Sequence, residues 1–203
     1  MSSRDDILAS IRVSLPRVDR PLPDIPLFDD NPPPSLLAAF KDSLHLMGGV
    51  FLDPPASGDP LAPVREKIAT AKVICSVVPE IAGTRDIGEV KATQELADVD
   101  FGIVRASFAV AETGSVLLSD TDLRVNAVAY LAQHLIVLLD PADIVVNLHH
   151  AYRRPEFRDR HYASFHTGPS ATADIEGVLI HGAQGVRSLS VVPIERTKGH
   201  SAG

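Results

Sequence analysis

The sequence predicts an α/β fold, an open and mainly parallel sheet with helices on both faces. Three observations lead to it: strand-length runs that are apolar almost throughout, helix-spaced segments interleaved with them, and enough chain for one sizeable core. The 203 residues are 45% hydrophobic, which supports one main domain and a short appendage. The runs "KVICSVV", "FGIVRA", "GSVLLS", "HLIVLLD", "HYASFHT" and "SLSVVPI" are near-continuously apolar, as expected of strands buried on both faces. "LRVNAVAYLAQ" and "ADIEGVLIHG" carry helical spacing between some of them. Such interleaving favours parallel strands joined by crossovers.

In chain order, the first segment predicts a short amphipathic helix. Ser3 is placed to cap it, Asp5 and Asp6 lie near its positive end, and Ile7, Leu8, Ile11 and Leu15 form a stripe. Pro16, Pro21, Pro23, Pro26, Pro32, Pro33 and Pro34 follow; they fix φ and remove donors, so this stretch reads as an extended linker. Residues 1–34 thus form an arm that packs on its own domain or on a second copy, the latter giving a homo-oligomer. Residues 35–196 form the α/β domain. Ser35 caps a helix carrying Leu36, Leu37, Phe40, Leu44 and Met47, which Gly48 and Gly49 stop. A second helix starts at Asp59 and Pro60 and runs through Val64, Ile68 and Ala71, directly before "KVICSVV". Residues 197–203 are polar, lack an apolar anchor and are expected to be a disordered tail.

Charge and cysteine count exclude several classes. A formal charge of -7 gives no general attraction to phosphate backbones or anionic lipid, which argues against a nucleic-acid partner. No apolar run reaches the length of a membrane span, and the acidic start is unlike a secretory signal, so a cytoplasmic protein is expected. The single cysteine, Cys75, sits in an apolar run; it can form no internal disulfide and supplies no thiolate set for an iron–sulfur cluster.

In such a fold, ligands sit outside the carboxyl ends of the strands, and two segments are expected there. The first is "AVAETGSVLLSD", residues 109–120: Gly114 can adopt backbone angles closed to other residues, Glu112 supplies a carboxylate, and Thr113 and Ser115 supply hydroxyls. The second is residues 166–185, where a strand ends at Thr167, Gly168 and Pro169 turn the chain, and a short helix begins near Thr172. The first-turn N–H groups of that helix, with Ser170 and Thr172, would hold a carboxylate or phosphate. Asp174 and Glu176 suit the helix dipole but repel an anion, so capping explains them equally well. Arg124, with Asn126, follows the "SVLLSD" run and offers a guanidinium fork for a carboxylate or for a surface ion pair. The histidines lack metal-ligand spacing: His149 and His150 are adjacent, and His161 and His166 point to opposite faces of an expected strand. His134 and His181 read as packing residues. "AYRRPEFRDR", dense in arginine, reads as a solvated connection or a docking point for a negative partner.

Taken together, these segments resemble the LUD domain of lactate utilisation protein C. "SSRDDILASIRVSL" looks like that family's N-terminal helix, "ADVDFGIVRASFAVAETGSVLL" like its central segment, and "GPSATADIEGVLIHGAQGVRSLSVVPIE" like its C-terminal signature. The family's usual proline before the histidine of "AQHLIVLL" is absent here. The resemblance implies a fold similar to the NagB, ribose-5-phosphate isomerase and CoA-transferase group. It also implies a part in oxidising L-lactate to pyruvate beside partner proteins that carry iron–sulfur clusters, with no intrinsic cofactor. The chain would then bind a small anionic ligand or scaffold its partners. A rival follows from the same group: a glutamate in a tight E-N-G turn is the acyl-accepting nucleophile of CoA-transferases, and "ETG" is similar, which makes Glu112 a catalytic candidate. A third reading is a regulatory module that senses a metabolite. Glu112 can also simply hold its turn in shape.

Overall fold

The computed structural model describes residues 3–15, 21, 23–175, 177–182 and 184–196. The chain begins with α1 (Ser3–Ser14), α2 (Leu36–Leu46), β1 (Val50–Phe51), α3 (Ala62–Ile68), β2 (Ile74–Ser76) and β3 (Phe101–Arg105). It continues through β4 (Phe108–Val110), β5 (Ser115–Ser119), α4 (Asp120–Leu123), α5 (Val128–Leu131), β6 (His134–Leu139) and β7 (Ile144–Val145). Last come α6 (Leu148–Ala151), α7 (Pro155–Arg158), β8 (Ala163–His166), β9 (Ala171–Ile175), β10 (Val178–His181) and β11 (Ser188–Pro193).

The predicted α/β architecture is present. A five-stranded, wholly parallel sheet has the order β1-β11-β6-β3-β2. Phe101, His134 and Ser188 begin its three central strands at one level, defining an amino rim. Arg105, Leu138 and Val192 share a level near the opposite, carboxyl rim.

A second, mixed sheet has the order β7-β4-β5-β8. Its inner side packs Ala109, Val116 and Leu118 onto Leu135, Val137, Leu139, Leu189 and Val191 of the first sheet, with Phe40 and Leu44 of α2 in the same core. Ile103, Ile136, Leu138 and Val192 face the other way, onto Leu61 and Val64. Leu135 through Leu139 are all fully buried, and each such aliphatic side chain contributes roughly 1.5–3 kcal/mol through its removal from water. Burial on both faces is why β6 reads as an unbroken apolar run.

Local chemistry sets the helix ends. The Ser35 hydroxyl accepts the Ala38 N–H at 3.2 Å, and Gly48 takes φ +79° beyond the last turn of α2. Asp59 accepts the Leu61 N–H at 2.9 Å just before α3, slightly later than the expected helix start.

Two expectations change. Ala171–Ile175 and Val178–His181 pair as the β9–β10 hairpin, not as the helix expected to begin near Thr172. Ile175, Val178, Leu179 and Ile180 mimic helical spacing, but β-branched residues flank Gly177, whose φ of +71° turns the chain. "LRVNAVAYLAQ" is broken rather than continuous: Arg124 takes φ +58°, and the Val125 N–H reaches the Leu123 carbonyl at 2.6 Å, a γ-turn that separates α4 from α5. A strand not read from the sequence, β4, follows the expected "FGIVRA" strand, because the chain turns at Ala106 and Ser107 to begin the second sheet.

Residues 25–29 of the arm lie against α6. The Asn147 amide donates to the Leu27 and Phe28 carbonyls at 2.7 and 3.2 Å, and Arg153 donates to the Ile25 carbonyl at 2.8 Å. The α1 helix has no buried residue; Ile7, Ile11, Val13 and Leu15 are exposed. Pro16 and the tail at 197–203 lie outside the described residues. No helix among the described residues is long and apolar enough to cross a membrane.

Candidate functional site

The two candidate segments do meet in space. The Thr167 hydroxyl donates to the Gly114 carbonyl at 3.1 Å, and the Thr113 hydroxyl donates to that of Ser115 at 2.8 Å. Their common support is the end of α2. A Cβ on Gly114, at φ +63°, would lie 2.2 Å from the Leu44 nitrogen, and one on Gly168, at φ +60°, 1.9 Å from the Met47 carbonyl oxygen. Both glycines are therefore required by close backbone approach. Glu112 is exposed, yet its carboxylate accepts the Leu148 N–H at 3.2 Å, and its backbone carbonyl accepts from Ser43 at 3.3 Å. Beside it lies a cavity of about 230 Å³ walled by Phe28, Pro33, Ser43 and Asn147.

This junction lies at the amino rim, not at the expected carboxyl ends. The Ser170 N–H donates to Val186 and the Arg187 N–H to Gln133, residues just ahead of β11 and β6. Thr172 sits inside β9, paired with Ile180, so the anticipated helix N-terminus there does not exist. Asp174 lies on the same strand. Glu176 is outside the described residues.

Two histidines occupy this rim. His134 stacks on Phe101 with ring centroids 4.9 Å apart, and its Nδ1 lies 2.8 Å from the Ser188 hydroxyl. Burial, then the positive Lys67 and Arg187, holds its pKa below the ordinary value. It borders a shallow cavity of about 340 Å³ with Lys72, Asp100 and Arg187. His166, expected to share a strand with His161, is the last residue of β8, whereas His161 precedes that strand. Burial pushes the pKa of His166 down to about 4; its Nε2 has no hydrogen-bond partner among the described residues, and its ring sits 5.2 Å from that of Tyr130. Among the described residues no cluster of His, Cys, Asp or Glu has the form of a metal site.

Arg124 stands apart from this junction, at the carboxyl rim. It lines a cavity of about 310 Å³ with Ser76, Val77, Val78, Pro79, Asp86 and Ile87. A neighbouring cavity of about 280 Å³ shares Val77, Val78 and Pro79 and adds Glu80, Arg105, Thr121, Asp122 and Arg196. Two of these arginines are committed. Arg105 pairs with Glu80 and donates to the Ile194 carbonyl; Arg196 pairs with Asp143 and donates to the Ala106 and Ser107 carbonyls. Asp122 accepts from the Ser107 hydroxyl at 2.6 Å and from the Ser119 N–H and hydroxyl at 2.9 and 2.7 Å, anchoring α4. Arg124 is exposed and makes no side-chain bond among the described residues. Motif reading passed over Arg105, Asp86 and Arg196; the available signal was an arginine closing the apolar "FGIVR" strand, where the strand-end rule points.

A parallel sheet doubled by a mixed one, with clefts at its rims, defines an α/β fold. Residues 67–194 match the LUD domain model, and the chain belongs to the LUD domain family, which is associated with lactate utilisation. An uncharacterized protein of Neisseria meningitidis serogroup B is 28% identical over an alignment of 138 residues that covers 66% of this chain and 59% of that protein. The chain thus spans less than two thirds of that relative's length. The crystal structure of a DUF162 family protein from Deinococcus radiodurans aligns with a TM-score of 0.58 at 17% identity, covering 78% of this chain and 95% of the other. It shares the fold.

Proposed function

We propose that the chain is an accessory subunit of an L-lactate utilisation system, of the lactate utilisation protein C kind, which binds a small anionic ligand beside iron–sulfur partner proteins. Cys75 is the observation that carries this reading. It is the sole cysteine, fully buried in β2, and burial pushes its thiol pKa up. One enclosed thiol does not fit the ligand set of an iron–sulfur cluster, which agrees with a reading in which clusters on partner chains receive the electrons from lactate. The amino rim fits a scaffolding role, because its turn residues are spent on joining α2, β5 and β8.

The test is to isolate the tagged full-length chain from its native host grown on L-lactate, and to delete the gene. Recovery of cysteine-rich proteins with the absorbance of iron–sulfur clusters, together with lost growth on L-lactate, is expected. Unimpaired growth, or recovery of the chain alone, would end the proposal.

One observation favours a second reading, acyl transfer through Glu112: the cavity of about 230 Å³ beside that carboxylate. Against it, the Leu148 N–H already engages the carboxylate. Incubation with acyl-CoA and hydroxylamine decides, since only an acyl-enzyme yields a hydroxamate at Glu112.

A further inference from the structure

We propose that the cleft at the carboxyl rim is a binding site for a short-chain monocarboxylate, with Arg124 as the residue that takes the carboxylate. The choice of ligand rests on the anion-binding reading above; the location comes from the geometry of the cleft.

Position comes first. Ser76 ends β2 and lines the cavity that Arg124 borders, and Arg105 ends β3 and lines the adjoining one, so both open where parallel α/β sheets take their ligands. Arg124 has its fork of N–H donors open to this space, whereas Arg105 and Arg196 are held by carboxylates and carbonyls. Its backbone is fixed. The φ of +58° is rare for a residue with a side chain, and the Asp122 carboxylate anchors the preceding turn to Ser107 and Ser119. Strain retained at a cleft-lining arginine is the pattern of a position selected for where it aims its side chain.

The remaining lining selects among anions. Val77, Val78 and Pro79 run through both halves of the cleft and offer an apolar wall to a few methylene groups. Asp86 adds negative charge to the cavity that Arg124 lines, and Glu80 and Asp122 add it to the neighbouring one. A guanidinium with no ion pair among the described residues, beside Asp86, suits a planar monoanion held by two parallel hydrogen bonds, while a phosphate dianion meets greater repulsion. Cavities of about 280 and 310 Å³ admit an acid of a few carbons; a nucleotide or CoA would remain largely in solvent.

Calorimetric titration of the full-length chain with L-lactate, pyruvate, propionate and inorganic phosphate tests this. The three acids should bind at one site and phosphate more weakly. Arg124→Ala should weaken acid binding tenfold or more, as loss of a charge-assisted bidentate contact does, and Arg124→Lys should fall between, since an ammonium lacks the fork. Arg158→Ala, which removes an exposed charge on α7, should leave binding unchanged. Arg124→Gly accommodates the positive φ and serves as the folded variant if alanine perturbs the turn. Binding equal in wild type and both Arg124 truncations, no binding of any acid, or phosphate binding more tightly than the acids would each overturn the proposal. Arg124-dependent binding without iron–sulfur companions would instead refute the accessory-subunit reading and leave this site standing.

Discussion

The amino and carboxyl rims of the five-stranded sheet use polar residues in opposite ways. At the amino rim, the glycines, hydroxyls and glutamate that look most like ligand-binding residues are consumed by the backbone: Thr167 bonds Gly114, Glu112 holds Leu148, and two glycines admit α2. At the carboxyl rim, no motif marks the residues, yet an exposed guanidinium without an ion pair among the described residues faces a cleft. A dense motif therefore need not mark where a ligand sits; it can mark where chain segments must approach within atomic contact.

The largest effect that would break this comparison is a side chain at the amino-rim junction. Gly114→Ala and Gly168→Ala place a Cβ 2.2 and 1.9 Å from α2 backbone atoms at positive φ. Overpacking and strain together predict a loss of about 3–5 kcal/mol in chemical denaturation. Gly177→Ala, with positive φ but no atom within 4 Å of the added Cβ, isolates the strain and should cost only about 1 kcal/mol. Equal losses at all three positions would show that the junction is not tightly packed.

Next comes pH. His166, also at the amino rim, has its pKa pushed down to about 4 by burial, with the Tyr130 ring as its neighbour and the Tyr130 and Tyr162 hydroxyls bonded to each other nearby. In the unfolded chain its pKa is near 6.5, so between these values the unfolded state binds the extra proton and stability rises with pH. That contribution is complete above about 6.5 and disappears as pH falls toward 4. Its size is at most roughly 3 kcal/mol. Unfolding of His166→Phe should show a flatter pH dependence over this window, and an unchanged slope would assign the dependence elsewhere.

How far the sequence reveals these rims depends on which force shapes each element. The central strands β3, β6 and β11 were legible because burial on both faces leaves an unbroken apolar signature, and α2 because Ser35 and Gly48 punctuate it. The meeting of Glu112–Ser115 with Thr167 and Gly168 was also legible, from paired tight turns. Its rim was not, because the fold-back at Ala106 and Ser107 carries neither glycine nor proline, so nothing in the sequence announces the second sheet that returns the AETG turn toward the amino end. The β9–β10 hairpin was misread because four aliphatic residues fit both periods, and only Gly177 distinguished them. Arg124 was named for its chemistry, but its γ-turn leaves no mark in residue type.

At the carboxyl rim the frame should be more fragile than the ligand-binding residue it supports. Asp122→Ala removes the acceptor of three hydrogen bonds from Ser107 and Ser119, at a cost of about 2 kcal/mol in chemical denaturation. Carboxylate binding should weaken with it, because α4 no longer fixes the Arg124 turn. Full stability in Asp122→Ala would mean that the turn is held by something other than this network.

The smallest effect has the opposite sign and sharpens the contrast most. Arg124 holds φ +58° with a side chain, and its guanidinium makes no bond among the described residues that would reward the conformation. Glycine adopts this region without the steric penalty, against a modest loss of unfolded-state entropy. Arg124→Gly should therefore stabilise the fold by about 0.5–1 kcal/mol while removing carboxylate binding. A residue kept at a stability cost, and needed only when a ligand is added, is what a binding role predicts. Destabilisation by Arg124→Gly would instead give the arginine a structural partner and put the carboxyl rim in the same class as the amino rim.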